Sequence, residues 1–300
     1  MKLRKIKGNT FAIDTGMTYI PFYKINDKDI IMLDCGWIKE RQGISNILKE
    51  NNFNVCGILA SHAHIDHIGN CSYLKEQYNS VIAMPTYEAL MCSCPVNLKA
   101  FYSTQNLTDV IKHFGHMVCE TDIMIDDNDT SVMLCGIKFK IMHTPGHTPA
   151  HICIVTPDHV AYVGDCLISR SVMAGAKMPY AFLLSEDLYS KEKLYGLKED
   201  LYVAAHKGIY DSSEIVSLID DNIAFYKNRA KSIYEVINGK QTMEEILKEV
   251  IKAFQIPVKT QYKYYTLERM LRSYVEYLDE TGEIELNMDD GFLKYSKVKK

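Results

Sequence analysis

The segment SHAHIDHIGN at positions 61–70 places the strongest limit on how this chain can fold. Within six positions it carries three histidines and one aspartate: His62, His64, Asp66 and His67. The whole chain of 300 residues holds only ten histidines. Spacings of two and three residues do not align on one helix face at 3.6 residues per turn. The segment therefore predicts a loop at the end of a strand, where the four side chains can fan out.

These four side chains have the chemistry of metal ligands. Imidazole nitrogen suits zinc and, to a lesser degree, iron, nickel or manganese, while Asp66 adds an anionic oxygen. Such a group can bind one metal or serve two, and two metals need further ligands. Three later stretches offer them where apolar runs stop: HTPGHTPAH at 143–151, Asp165 in VGDC and His206 in AAHKG.

The ligand chemistry alone does not choose among His143, His147 and His151. A single histidine after a strand is more often a surface or core residue than a ligand, and this also applies to His206. The residues therefore predict a metal site around positions 62–67 and leave its other ligands open.

The first 220 residues alternate short apolar runs with helical patterns. The runs at 18–25, 29–36, 55–62 and 201–207 predict strands, and SVMLCGIKFKIMH predicts a hairpin that turns at Cys135-Gly136. Strand hairpins interleaved with helices indicate a layered α/β fold with two sheets and outer helices. We predict that this part, residues 1–220, is the catalytic domain.

Residues 221–300 predict a separate small α+β domain that looks like a winged helix. Two helix faces repeat at the same offsets, the first being Met243, Ile246, Leu247, Val250, Ile251 and Phe254, the second Leu267, Met270, Leu271, Tyr274, Val275 and Leu278. Thr242 and Glu245 form a capping box before the first helix. A hairpin that turns at Asp290-Gly291 follows the second helix.

Composition excludes several classes of protein. The net charge of −4 and the pI near 6.2 are not those of a dedicated nucleic-acid binder. No run approaches 18 apolar residues, so we expect no membrane partner. The start has no secretory pattern, and nine cysteines in such a chain are typical of free thiols. Both features predict a cytoplasmic protein.

The sequence HAHIDH, followed by TPGHT, GD and a late strand-end histidine, resembles the metallo-β-lactamase fold superfamily over residues 8 to 215. The resemblance implies a four-layer αββα sandwich with the site at one edge, between the sheets. It implies two metals, most simply two Zn²⁺, with Fe or Mn as alternatives. The implied ligands are His62, His64 and His147 for one metal, Asp66, His67 and His206 for the other, and Asp165 as the bridge.

The resemblance also assigns residues around the ligands. The family places its third-motif ligand in the PGH step, which selects His147 and leaves His143 and His151 as neighbours behind the ligands. Asp34 in LDCG matches the family's early Asp-x-Gly motif and is expected to hydrogen-bond the ligand loop.

The ligand pattern separates the branches of the family. A carboxylate usually stands at the position of His64 in the oxygen-reducing diiron branch, and a cysteine replaces Asp165 in the zinc β-lactamases. The remaining group includes glyoxalase II-like thioesterases, lactonases and nucleases. Its chemistry implies a metal-bridging hydroxide that attacks an ester, thioester or lactone, with Asp66 as the catalytic residue that steers the nucleophile.

The substrate stays open at this point. Glyoxalase II enzymes usually place Lys and Tyr soon after the bridging aspartate, whereas this chain reads GDCLISRSVMAG, with Arg170 as the only candidate substrate-binding cation. The Tyr262, Tyr264 and Tyr265 cluster and the segment 93–107 are candidates for lining the pocket. We expect a small-molecule substrate.

Two other functions compete with this hydrolase. The first is a metal-dependent ribonuclease or phosphodiesterase, and the second is a regulator whose metal core senses a ligand while its C-terminal domain binds nucleic acid. Residues 222–300 carry 14 Lys and Arg against 12 Asp and Glu, fewer cations than a winged helix that reads DNA usually has. A role in packing, as a substrate lid or in a homodimer through the C-terminal domain fits that charge better.

Overall fold

A seven-stranded sheet forms the first half of the protein, of which the computed structural model describes residues 1–299. Its strands are hydrogen-bonded in chain order: β1 Lys2–Lys7, β2 Thr10–Asp14, β3 Tyr19–Lys24, β4 Asp29–Leu33, β5 Asn54–Leu59, β6 Val81–Pro85 and β7 Ile123–Ile125. Strands β1 to β4 pair antiparallel, and β4 to β7 pair parallel. The parallel pairs need crossover connections, and these contain helices.

A six-stranded sheet is formed within residues 131–211. Its strands are β8 Ser131–Leu134, β9 Ile137–His143, β10 Ile152–Val155, β11 Val160–Gly164, β12 Leu201–Ala204 and β13 Gly208–Asp211. They follow one another in space in that order, and only β11 and β12 pair parallel. The predicted hairpin at Cys135-Gly136 is confirmed, since Leu134 pairs with Ile137.

Within the part of the chain that the structure describes, ten α-helices cover the sheets and extend the chain. They are α1 Arg41–Glu50, α2 Cys71–Tyr78, α3 Thr86–Met91, α4 Pro95–Phe101, α5 Leu107–Phe114, α6 Arg170–Gly175, α7 Leu184–Lys193, α8 Ile215–Val236, α9 Met243–Ala253 and α10 Gln261–Glu280. Short 3₁₀ turns occupy Ile38–Glu40, Gly115–Met117 and Leu194–Gly196. Among the described helices, none combines the length and the apolar character that a membrane crossing requires.

Three apolar interfaces hold the layers together. Between the sheets, Leu33 and Leu59 of the first sheet pack against Phe139 and Tyr162 of the second. The outer face of the first sheet is covered by helices that include α1, and that of the second sheet by the start of α8. Burial of this apolar surface is the main favourable free-energy contribution to folding. The predicted four-layer αββα fold is confirmed.

The C-terminal segment contains the predicted helices and hairpin. The capping box of Thr242 and Glu245 is present at the start of α9, and all six residues of the second predicted helix face are buried in α10. Strands β14 Ile284–Asp289 and β15 Phe292–Lys297 form the hairpin. Asp290 and Gly291 both have positive φ, as a two-residue I′ turn requires.

The division of the chain between residues 220 and 221 stays a prediction. Helix α8 runs across that position, and its second half shares one apolar cluster with α7, α9 and α10. The identification of the C-terminal segment as a winged helix also stays a prediction.

Candidate metal centre

The predicted ligands lie at one edge of the sandwich because each follows the end of a strand. The loop with His62 to His67 comes directly after β5, Asp165 follows β11, and His206 follows β12. His147 lies in the connection from β9 to β10. The predicted strand 55–62 is too long by three residues, since β5 ends at Leu59 and the histidines stand on a loop.

One cluster of ligand atoms contains three imidazoles and one carboxylate. Nε2 of His62 lies 3.1 Å from Nδ1 of His64, and Nε2 of His147 lies 3.0 Å from the same Nδ1. Oδ2 of Asp165 lies 3.3 Å from Nε2 of His147. The four ligand atoms all fall within 4.8 Å of one another, which is the spacing of ligands around one cation.

A second cluster adjoins the first through Asp165. Nε2 of His206 lies 3.4 Å from Oδ2 of Asp66 and 3.3 Å from Oδ2 of Asp165. Nε2 of His67 lies 3.4 Å from Oδ1 of Asp165. One carboxylate therefore faces both clusters, as a bridging ligand does.

These residues fit a pair of divalent cations on the chemistry of their atoms. His67 Nε2 and Asp165 Oδ1 are buried and have no hydrogen-bond partner within residues 1–299. Burial holds the pKa values of His62 and His64 well below the usual range, so both rings are uncharged. Imidazole nitrogens that meet about 3 Å apart, as those of His62, His64 and His147 do, need a proton or a cation between them.

The second cluster has the opposite electrostatics. The Asp165 carboxylate raises the pKa of His206 to about 10. Burial opposes the charged form of His67, but Asp165, Asp66 and Asp34 together raise its pKa well above the usual range. Without a cation the acidic side chains therefore hold protons on these imidazoles. A bound metal would take the place of those protons.

Asp34 orients one ligand from behind. Its Oδ2 accepts hydrogen bonds from His67 Nδ1 at 2.7 Å, Tyr162 Oη at 2.6 Å and Ser61 Oγ at 2.7 Å. Its Oδ1 accepts from the Ser61 backbone N–H at 2.6 Å. The bond to Nδ1 leaves Nε2 of His67 directed at the cluster, so Asp34 selects the ring nitrogen that faces a metal.

His151 and His143 lie in different surroundings. His151 is fully buried, its ring centroid is 5.0 Å from that of His62, and its Nε2 accepts the Asp165 backbone N–H at 3.2 Å. His143 ends β9, and its Nε2 lies 2.8 Å from the Asp129 carbonyl oxygen. The structure thus places His151 behind the ligands and His143 away from them.

Glu88 of α3 is a contributor that the sequence analysis missed. Its side chain is fully buried, with Oε2 accepting the Ala63 N–H and Oε1 accepting the Ala150 N–H, each at 3.1 Å. Ala63 lies between two ligands, and Ala150 follows the PGH step. One carboxylate therefore joins the two loops that form the first cluster. No motif marks this residue, which sits in an ordinary helical stretch, TYEALM.

A cavity of about 180 Å³ opens beside the ligands. It is lined by His64, Ile65, Asp66, Tyr102, Thr104, Gln105, Phe114, Tyr180, Tyr262, Tyr265, Thr266 and Arg269. The segment 93–107 contributes to it, as do Tyr262 and Tyr265 of the tyrosine cluster, whereas Tyr264 packs against the apolar cluster of the C-terminal segment. A second recess of about 190 Å³, with Met17, Trp37 and His206 on its wall, shares Ile65 and Asp66 with the first.

Arg170 is not among the residues that line either recess. Its Nε donates to Asp221 at 2.7 Å and its Nη2 to Ser217 at 2.8 Å, so it joins α6 to α8 on the surface. The arginine that lines the cavity is Arg269 of α10. The predicted substrate-binding role of Arg170 has no support from this geometry.

Comparison with known proteins identifies relatives of the chain. Residues 13–206 match the sequence pattern of the family described as the Metallo-beta-lactamase superfamily. Hydroxyacylglutathione hydrolase GloC of Haemophilus influenzae is 26% identical over 192 residues, which cover 62% of this chain and 82% of that protein. A hydroxyacylglutathione hydrolase of Citrobacter koseri is 25% identical over 232 residues, covering 77% of this chain and 78% of that protein.

Two solved structures share the fold over nearly the whole chain. A metallo-beta-lactamase family protein from Thermus thermophilus aligns with a TM-score of 0.68 at 16% identity, covering 94% of both chains. A beta-lactamase domain protein from Burkholderia ambifaria also aligns with a TM-score of 0.68 at 16% identity, covering 99% of this chain and 94% of the other. At these identities the likeness concerns the fold alone.

Proposed function

This chain belongs to the metallo-beta-lactamase superfamily, and we propose that it is a two-metal hydrolase of a small ester, thioester or lactone. We propose zinc as the metal because most of the ligands are histidines, which suit zinc. Iron and manganese are alternatives, because they also accept histidine and aspartate ligands. The observation that carries the proposal is the pair of adjoining ligand clusters that share Asp165.

In this proposal the two clusters hold the metals, and Asp66 also takes part in proton transfer. A metal pair held in these clusters would supply an activated water as nucleophile and a Lewis acid for the substrate's oxygen. Asp66 is the ligand carboxylate that reaches both recesses. Although burial opposes it, the neighbouring His67 and His206 lower the pKa of Asp66 to about 2, so the carboxylate is ionised. We assign Asp66 the orientation of the nucleophile. As an ionised carboxylate it can also accept the proton that the nucleophile loses and pass that proton to the leaving group.

The cavity supports a small substrate. About 180 Å³ is less than the volume of a typical drug-sized pocket, and aromatic rings form much of its wall. Relatives named hydroxyacylglutathione hydrolase favour thioesters among the three substrate classes. The segment GDCLISRSVMAG that begins at Gly164 contains neither the Lys nor the Tyr expected there for glutathione, so we propose a thioester with a smaller thiol.

Ribonuclease activity is the second candidate, and the cavity gives it little support. Phosphate backbones are bound through several lysines and arginines, whereas Arg269 is the only lysine or arginine among the residues that line this cavity. A wall formed largely by aromatic residues, with one cation, suits a small acyl compound better than an RNA strand.

Metal analysis combined with a substrate panel tests the proposal. Purified protein is analysed for bound metals and assayed with small thioesters, S-lactoylglutathione, a lactone and single-stranded RNA. We expect about two metals per chain and turnover of a thioester or lactone but not of RNA. His62→Ala is expected to lose metal and activity, and His143→Ala serves as the matched histidine control.

Two results would overturn the proposal. Cleavage of RNA without hydrolysis of any acyl substrate would show that the protein is a ribonuclease instead. Failure to bind metal after addition of zinc, manganese and iron would rule out a metal-dependent hydrolase.

A further inference from the structure

Arg269 of α10 lies in the cavity among aromatic rings. Its guanidinium carbon is 4.1 Å from the ring centroid of Phe101, 4.8 Å from that of Tyr102 and 5.3 Å from that of Tyr180. Its Nη2 also donates a hydrogen bond to the Tyr180 hydroxyl. Three rings from two separate segments therefore fix the guanidinium plane. Because the side chain is already held in place, binding a ligand costs little further side-chain entropy.

This cation has no anionic partner within residues 1–299. No carboxylate lies within 4.0 Å of its nitrogens anywhere in the described chain, and its buried Nε has no hydrogen-bond partner there. By contrast, Arg272, one turn further along α10, pairs with Glu268 at 3.8 Å. A guanidinium keeps its charge at any physiological pH, so an uncompensated one in an aromatic pocket favours an anionic ligand.

The position of Arg269 relates it to the metal ligands. The Tyr180 ring centroid lies 5.1 Å from that of His64 and 5.3 Å from that of His147. The guanidinium hydrogen-bonds the hydroxyl of that same ring. A ligand group at Arg269 and a reacting group at the first cluster are therefore separated by about the length of one tyrosine side chain, within one cavity.

We propose that Arg269 binds a carboxylate carried by the substrate, so that the enzyme selects anionic over neutral acyl compounds. This inference rests on the proposed hydrolase function and adds the chemical class of its substrate. It also gives the C-terminal segment a role, because α10 supplies the selecting residue. A carboxylate suits the site because a planar guanidinium can donate two parallel hydrogen bonds to it.

The test compares three thioesters of similar size on metal-loaded protein. S-succinyl-N-acetylcysteamine carries its carboxylate on the acyl group, and the S-butyryl thioester of 3-mercaptopropionate carries it on the thiol. S-butyryl-N-acetylcysteamine is the neutral reference. Products are quantified by chromatography, because thiol reagents would also react with the partly exposed Cys56, Cys94 and Cys135.

We expect one of the two anionic thioesters to exceed the neutral one in kcat/KM by about 10- to 100-fold, mainly through KM. Arg269→Gln should abolish this preference, so that the variant hydrolyses the anionic and the neutral thioester with similar kcat/KM. Arg269→Lys keeps the charge without the planar fork and should retain part of the preference. Arg272→Gln removes a cation from the same helix outside the cavity and should change nothing.

A binding measurement keeps the inference separate from the proposed function. Calorimetry compares succinate with butyrate, and 3-mercaptopropionate with propanethiol, on the wild type and Arg269→Gln. Tighter binding of the anionic member only when Arg269 is present supports the inference even if no thioester is hydrolysed, which would count against the proposed function alone. Equal binding and equal turnover of anionic and neutral compounds would overturn the inference while leaving the hydrolase intact.

Discussion

Oδ2 of Asp34 accepts a 2.7 Å hydrogen bond from Nδ1 of His67, and this contact joins a predicted metal ligand to the end of β4. The same oxygen accepts the Tyr162 hydroxyl of β11, so both sheets meet at one atom. Asp34 has a φ of 63°, a left-handed conformation that aspartate tolerates better than most residues. This backbone turn allows the carboxylate to lie beneath the ligand loop.

Replacing Asp34 by asparagine is expected to weaken metal binding. Asparagine has one side-chain oxygen in place of two, so it can accept fewer hydrogen bonds. Its NH₂ group would face N–H or O–H groups that now donate to Asp34. Loss of such a partner behind a metal ligand typically lowers metal affinity by about 10- to 100-fold. Competition with a chelator of known affinity measures the change. Asp27→Asn, an exposed substitution of the same type, is the control, and equal affinities in both variants would contradict the prediction.

Glu88→Gln is expected to destabilise the protein and the first cluster together. The substituted amide can accept one of the two backbone N–H groups but presents its own donors to the other. A buried donor without a partner costs about 1–3 kcal/mol of the free energy of unfolding. Urea unfolding of metal-free protein measures the stability, and metal analysis measures the site.

Glu50→Gln, on an exposed position at the end of α1, is the control for Glu88→Gln. A Glu88 variant as stable as this control, with full metal content, would show that the link between the two loops is dispensable.

The sequence predicted the elements whose apolar pattern is regular. The six-residue face of α10 and the capping box of α9 were both confirmed, because periodicity and capping are local properties. Strand β1 was not predicted: its sequence KLRKIK is rich in lysine and mostly exposed, as a charged edge strand is. Pattern reasoning identifies strands by their buried side chains, and β1 has almost none.

The residues of the candidate site could likewise be predicted only where the local sequence marks them. The ligand candidates were visible because histidine and aspartate are conspicuous where apolar runs end, and the structure brings seven of them together. Glu88 and Arg269 gave no such signal, because their roles depend on contacts between distant segments. Tyr162 gave a weak sequence signal, since a tyrosine in an otherwise apolar buried strand needs a partner for its hydroxyl. The homodimer through the C-terminal domain stays a prediction.

Substitution of His147 and His143 separates two histidines that the sequence chemistry alone left equivalent. His147→Ala removes a nitrogen that lies 3.0 Å from His64 and is expected to lose at least one metal equivalent per chain. His143→Ala removes only a contact to the Asp129 carbonyl and should keep full metal content. Metal analysis of both variants after identical dialysis decides the matter. The reverse result would move the ligand from the PGH step to the end of β9.

Metal binding is expected to release protons. Because Asp165 raises the pKa of His206 from 6.5 to about 10, the metal-free protein holds a proton on this imidazole at pH 7, and the metal must displace it. The affinity for metal should therefore rise as the pH increases from 6.5 toward 10. Calorimetric titration with zinc in two buffers of different ionisation enthalpy gives the number of protons released. We expect at least one per chain in the wild type and in His143→Ala, and a heat independent of the buffer would show that His206 is already neutral without metal.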